Sequence, residues 1–79
     1  MPARILFFGA TAEIAGKRNV ELPVTDGLTT GDVLRNIYGQ VPGLSSHKLH
    51  ISLNQEYANG DEVVRDGDEL AVFAAVSGG

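Results

Sequence analysis

The chain contains no cysteine. That absence excludes a disulfide framework, a thiolate-held iron–sulfur cluster, a zinc knuckle and a thiol nucleophile. A basic run is also missing. Six Lys and Arg stand against ten Asp and Glu, for a formal net charge of −4, whereas a nucleic-acid binder would show a basic face. No apolar run approaches the roughly 20 residues of a membrane-spanning helix. The opening Met1-Pro2-Ala3-Arg4 leads into an apolar stretch, Ile5 to Phe8, that is too short for the core of a secretory signal. The expectation is a cytoplasmic protein with neither nucleic acid nor membrane as a partner, whose acidic balance suits docking to a basic protein surface. With 79 residues it has room for one domain. Such a small core, unstapled, relies on packing or on stability gained from a partner.

The hydrophobic pattern divides the chain into short elements. Ala3 to Ala10 is rich in Ile, Leu and Phe and reads as a strand closed by Gly9. Thr11 to Ala15 is compatible with a short helix ended by Gly16. Asn19 to Pro23 reads as a second strand, joined to the first as a hairpin through Gly16-Lys17-Arg18. Thr29 with Asp32 three residues later forms a capping-box pattern, and Leu28 and Val33 occupy hydrophobic-staple positions. Val33, Leu34, Ile37 and Tyr38 then follow at helical spacing until Gly39, with Pro42-Gly43 marking the break. Leu44 to Lys48 carries no clear signal. Leu49 to Leu53 reads as a strand followed by a bend at Asn54-Gln55. Asn59-Gly60 and Asp66-Gly67 are turn signals, with a very short strand expected at Glu62, Val63 and Val64. The last strand runs from Glu69 to about Val76.

One helix among four or five strands implies an α+β roll of the β-grasp type, with the first and last strands parallel and side by side in mid-sheet. Those two strands are apolar on both faces. Ile5 and Phe7 point one way and Leu6 and Phe8 the other. Leu70, Val72 and Ala74 alternate with Ala71, Phe73 and Ala75. A strand buried on both faces needs a layer on each side, and one helix covers only one. If it covers Ile5, Phe7, Leu70 and Val72, then Leu6, Phe8 and Phe73 face outward, where Tyr57 can join them. An open apolar patch of that kind marks a partner surface, unless loops fold over it as core.

The sequence closes with Val76-Ser77-Gly78-Gly79. Two terminal glycines carry no side chains and can thread a narrow channel. The six residues from Ala74 onward reach roughly 20 Å when extended. The reactive group of such a tail is the terminal carboxylate itself. It is a poor electrophile until activated, most simply as an acyl-adenylate made from ATP, after which sulfide can displace AMP and leave a thiocarboxylate. A frayed, inert end is the plain alternative.

Four segments in order carry a family resemblance: Ile5-Leu6-Phe7-Phe8-Gly9-Ala10, Ala12-Glu13-Ile14-Ala15-Gly16, Asn54-Gln55-Glu56-Tyr57, and Asp66-Gly67-Asp68-Glu69-Leu70-Ala71-Val72-Phe73 through Val76-Ser77-Gly78-Gly79. Together they resemble the small subunits of molybdopterin synthase over nearly the whole chain. The resemblance implies a single ubiquitin-like β-grasp domain spanning 1–79, with residues 74–79 as an extended tail. It implies that Gly79 is adenylated at the expense of ATP by an E1-like activating enzyme, the domain itself binding no cofactor, and is then converted to a thiocarboxylate. The tail would enter the large catalytic subunit and give sulfur to cyclic pyranopterin monophosphate in molybdenum cofactor synthesis. Phe8, Tyr57 and Phe73 match apolar interface positions of that family, and Val76, Ser77 and Gly78 belong to the inserted segment. Where the family has Pro-Pro, this chain has Ala74-Ala75, which leaves the segment free to continue the strand or to flex.

Other candidates read as structural. His47 and His50 lack a third ligand and read as a solvated loop. Asp61, Glu62, Asp66, Asp68 and Glu69 read as wet turn residues, with docking to basic residues of the activating enzyme as the alternative. Lys17 and Arg18 read as an exposed turn. The rival functions are a sulfur carrier for another pathway, such as thiamine synthesis or tRNA thiolation, a ubiquitin-like modifier joined to lysines through Gly79, and a binding module with an inert tail. The opening and middle motifs argue against the thiamine carrier.

Overall fold

The computed structural model describes residues 2–74. Alternating apolar residues build the central strands. Strand β1 spans Ala3–Phe7 and strand β5 spans Glu69–Ala74. They pair in parallel with Ile5 opposite Leu70 and Phe7 opposite Val72. Strand β2, Asn19–Leu22, lies antiparallel on the outer side of β1. Strand β3, Leu49–Leu53, lies antiparallel on the other side of β5, and β4, Glu56–Tyr57, closes the sheet. The order β2-β1-β5-β3-β4 places the two apolar strands inside, as the β-grasp reading expects.

Helix α2, Thr30–Gln40, covers one face of this sheet, with the short α1, Ala10–Ala15, and a 3-10 turn at Pro42–Leu44 beside it. The expected capping box is present: the Thr29 hydroxyl accepts from Asp32 N–H at 3.2 Å, and the Asp32 carboxylate accepts from Thr29 N–H at 3.1 Å. Those bonds hold the Asp32 carboxyl below its usual range, with the Thr29 N–H as the largest cause. Val33 and Ile37 from α2 then meet Ile5, Phe7, Ile51, Leu70 and Val72 in one buried cluster.

Several element boundaries differ from the sequence reading. The first strand stops at Phe7 rather than Ala10. Gly9 takes a left-handed φ of 57°, and Thr11 N–H turns back to the Phe8 carbonyl at 3.2 Å. Helix α2 continues through Gly39 to Gln40. Its end comes at Val41, which stands before Pro42 and adopts φ −125° and ψ 83°, because a residue preceding proline is pushed out of the helical region. The short strand is not Glu62 to Val64. Val63 makes only an isolated bridge to Thr29. Instead, Asn54 and Gln55 both adopt positive φ, 50° and 72°. That two-residue turn folds Glu56–Tyr57 back onto Leu53 and Ser52 as β4.

Two polar clusters hold these connections. Thr11 is fully buried. Its hydroxyl accepts from Phe8 N–H at 3.0 Å and lies within bonding distance of the Phe8 and Val72 carbonyls, at 2.5 and 3.1 Å. It therefore ties the end of β1 to β5. Glu62 accepts from the N–H groups of Asn59 and Gly60 and from the Thr30 hydroxyl, at 2.8 to 3.1 Å. This pins the 59–63 loop to the start of α2. The approach is close: Gly31 N–H donates to the Gly60 carbonyl at 3.0 Å, and a Cβ at Gly31 would stand 2.9 Å from that oxygen.

Two predictions follow from these bonds. Thr11→Val removes the hydroxyl that bonds Phe8 N–H and the Val72 carbonyl while both backbone groups keep their bond to each other, so urea unfolding should show a loss of about 0.5–1.5 kcal/mol. An unchanged midpoint would remove Thr11 as the tie. The Asn59 N–H, followed by the residue's own N–H, the Thr30 hydroxyl and the Gly60 N–H, lowers the Glu62 pKa from 4.5 to about 2. The folded state therefore takes up this proton later than the unfolded chain. The stabilisation is present above pH 4.5 and is lost as pH falls toward about 2. Melting curves of Glu62→Gln should be lower at neutral pH and should converge on the parent through that acid window.

Candidate functional site

With α2 on one face, the other face of the sheet carries the opposite parity. Leu6 from β1, Ala71 and Phe73 from β5, His50 and Ser52 from β3, and Tyr57 from β4 share it, because Leu6 stands opposite Ala71, Ala71 opposite Ser52, Phe73 opposite His50, and Ser52 opposite Tyr57. Phe8 continues the line of Leu6, since its N–H donates to the Val72 carbonyl at 3.2 Å and extends the ladder one residue past β1. Phe8 is 51% exposed and Tyr57 82%. No layer of described residues covers them, so the loops-as-core alternative is set aside.

Phe73 is the hub of this face. The His50 ring stacks on it with centroids 5.7 Å apart and planes 24° apart. The Tyr57 ring meets it edge-on at 5.9 Å and 62°. Such pairings favour particular ring orientations by about 0.5–1.5 kcal/mol each, which lowers the side-chain entropy cost of docking. The face is polarised along the strands. Arg4 stands opposite both Glu69 and Glu21 at one end, and the aromatic rings gather at the other. β5 runs toward the aromatic end, where Phe73 and Ala74 are its last described residues.

Three of the sequence-predicted interface residues, Phe8, Tyr57 and Phe73, thus lie on this open side. Val76, Ser77, Gly78 and Gly79 fall outside the described residues. His50 is a correction: it is no solvated loop residue but part of β3 and of the aromatic cluster. The signal for it was strand parity, since Leu49 and Ile51 on either side are buried. Tyr38, read as an apolar helix position, does a second job. Its hydroxyl donates to the His47 carbonyl at 3.0 Å and accepts from Leu49 N–H at 3.1 Å, so α2 fixes the start of β3.

Two members of the acidic cluster are committed to backbone. Glu62 holds its loop. Asp68 accepts from Arg65 N–H at 2.8 Å and from the Asn54 amide at 3.1 Å, while the Asn54 side-chain oxygen accepts from Glu69 N–H. Among the described residues, no group of three or more His, Cys, Asp or Glu converges as a metal site, and no helix is long and apolar enough to cross a membrane. What the face offers chemically is recognition: an open aromatic surface centred on Phe73.

Comparison with known proteins agrees with this geometry. A molybdopterin synthase sulfur carrier subunit from Chlamydomonas reinhardtii is 35% identical over the whole of both chains. Small archaeal modifier protein 1 from Haloferax volcanii is 39% identical, covering 91% of this chain and 94% of its own. A crystal structure of that modifier superposes over the full length of both chains with a TM-score of 0.82 at 34% identity. A chain of the complex of subunits 1 and 2 of the molybdopterin-converting factor from Helicobacter pylori matches over both full lengths with a TM-score of 0.67 at 27% identity. The model of the ThiS family matches residues 5–79, and this chain belongs to that family of small ubiquitin-like carriers.

Proposed function

We propose that this chain is the sulfur-carrier subunit of a molybdopterin synthase. The observation that carries the reading is the aromatic face around Phe73, placed where β5 hands over to the sequence ending in Gly78-Gly79. That juxtaposition suits a body that docks on a partner while its end is delivered into the partner's active site. The Helicobacter relative, solved as part of a two-subunit complex, supports a large-subunit partner of the same kind here.

The terminal chemistry follows from the group available. The Gly79 carboxylate attacks the α-phosphorus of ATP on an E1-like activating enzyme, forming an acyl-adenylate and releasing pyrophosphate. A sulfide equivalent displaces AMP and leaves the thiocarboxylate. In the large subunit the sulfur passes to cyclic pyranopterin monophosphate, and water restores the carboxylate. The carrier supplies the acyl group and the reach, and its partners supply the catalysis.

A second reading has its own support. The 39% identity to a small archaeal modifier protein fits a role in which the activated Gly79 is joined to lysine amines. The intact mass of the protein taken from cells separates the two. A carrier shows one oxygen replaced by sulfur, and a modifier shows conjugates on unrelated proteins.

Gly79 deletion, or residues appended after it, should abolish sulfur transfer in a reconstituted synthase assay while the melting curve stays that of the parent. Full activity in an extended variant would end the tail mechanism. Phe73→Asp places a charge at the centre of the aromatic cluster. It should weaken binding to the large subunit about tenfold or more by calorimetry, and normal affinity would remove this face from the interface.

A further inference from the structure

A groove lies between the end of β1 and the turn from α1 to β2, with a volume of about 600 Å³. Leu6 and Phe8 give it apolar surface, and Lys17 and Arg18 stand on its exposed rim with Glu13. Lys17-Arg18 is the one place in the sequence where two cations are adjacent, in a chain whose net charge is −4. Among the described residues neither side chain is ion-paired, the salt bridge there being Arg35 with Asp32. Glu13 precedes Lys17 by one helical turn, but Gly16 adopts φ 74° and ψ 17° and ends α1, so the pair does not form on a helix face. The backbone below is fixed, because the Arg18 carbonyl accepts from Phe7 N–H at 2.8 Å.

Two uncommitted cations held beside apolar surface favour a ligand that is both apolar and anionic. The groove shares Leu6 and Phe8 with the open face, so a protein that covers the aromatic cluster and extends across β1 reaches it. We propose that Lys17 and Arg18 bind a carboxylate of the protein partner that docks on this face, an Asp or Glu flanked by an apolar residue. This rests on the docking reading above and adds an electrostatic subsite to it.

The test is calorimetric titration of the full chain with the purified molybdopterin synthase large subunit encoded in the same genome, at low and high salt. The parent should bind more weakly as salt rises. The double variant K17E/R18E, its fold checked by circular dichroism, should lose about tenfold or more in affinity at low salt and show a flattened salt dependence. K17R/R18K should bind like the parent. If K17E/R18E keeps the parent's affinity and salt slope while Phe73→Asp loses binding, the subsite is refuted and the docking reading stands. If neither variant changes binding, or the large subunit does not bind at all, the docking reading fails and the subsite with it.

Discussion

The parallel pairing of β1 with β5 is the constraint from which the rest follows. Both strands are apolar on both faces, so placing them side by side in mid-sheet creates two hydrophobic surfaces. One is filled by α2, α1 and the 3-10 turn, whose Val33, Ile37 and Leu44 are buried against Ile5, Phe7, Leu70 and Val72. Period-two geometry leaves Leu6, Ala71 and Phe73 on the other side. Among the described residues no second helical layer lies there. The open face is thus a consequence of the topology and not a local accident of exposed residues.

The polar clusters keep that face in register. Thr11 reinforces the link between the end of β1 and β5 at the last rung that Phe8 makes, so the positions of Phe8 and Phe73 are coupled through that backbone bond and one buried hydroxyl. On the far side, Tyr38 fixes the start of β3 and with it His50. The Asn54-Gln55 turn fixes Tyr57 opposite Ser52. Each aromatic residue is placed by a backbone bond within a few positions of it, and the ring contacts around Phe73 follow from that placement. Strand pairing and ring contacts together preset the arrangement of the face, which favours docking without reordering.

What the sequence revealed and what it hid divide along physical lines. Strand alternation and the Thr29 to Asp32 cap depend on near neighbours, and they predicted the central strands, the helix start and the outward parity of Phe8 and Phe73. The stop at Val41 was hidden because Gly39 can stay helical while Pro42 constrains the residue before it. β4 was hidden because two non-glycine residues, Asn54 and Gln55, adopt left-handed conformations that composition rarely signals. His50 and Tyr38 acquire their roles from partners more than eight residues away in sequence, Phe73 for the one and Leu49 for the other. Local pattern carries no information about such pairs.

Ala74 shows how far the sheet supports the aromatic face. It belongs to β5 and stands opposite Leu49, at a place where the resembling family carries proline. The pairs Ile51 with Val72 and Leu49 with Ala74 therefore flank His50 and Phe73 on both sides. The stacked rings sit within the paired part of the ladder, and their contact at 5.7 Å follows from register. Proline at this position would fix φ at about −65°, away from the roughly −140° that an antiparallel strand favours, and so would weaken the pairing on one side of that stack.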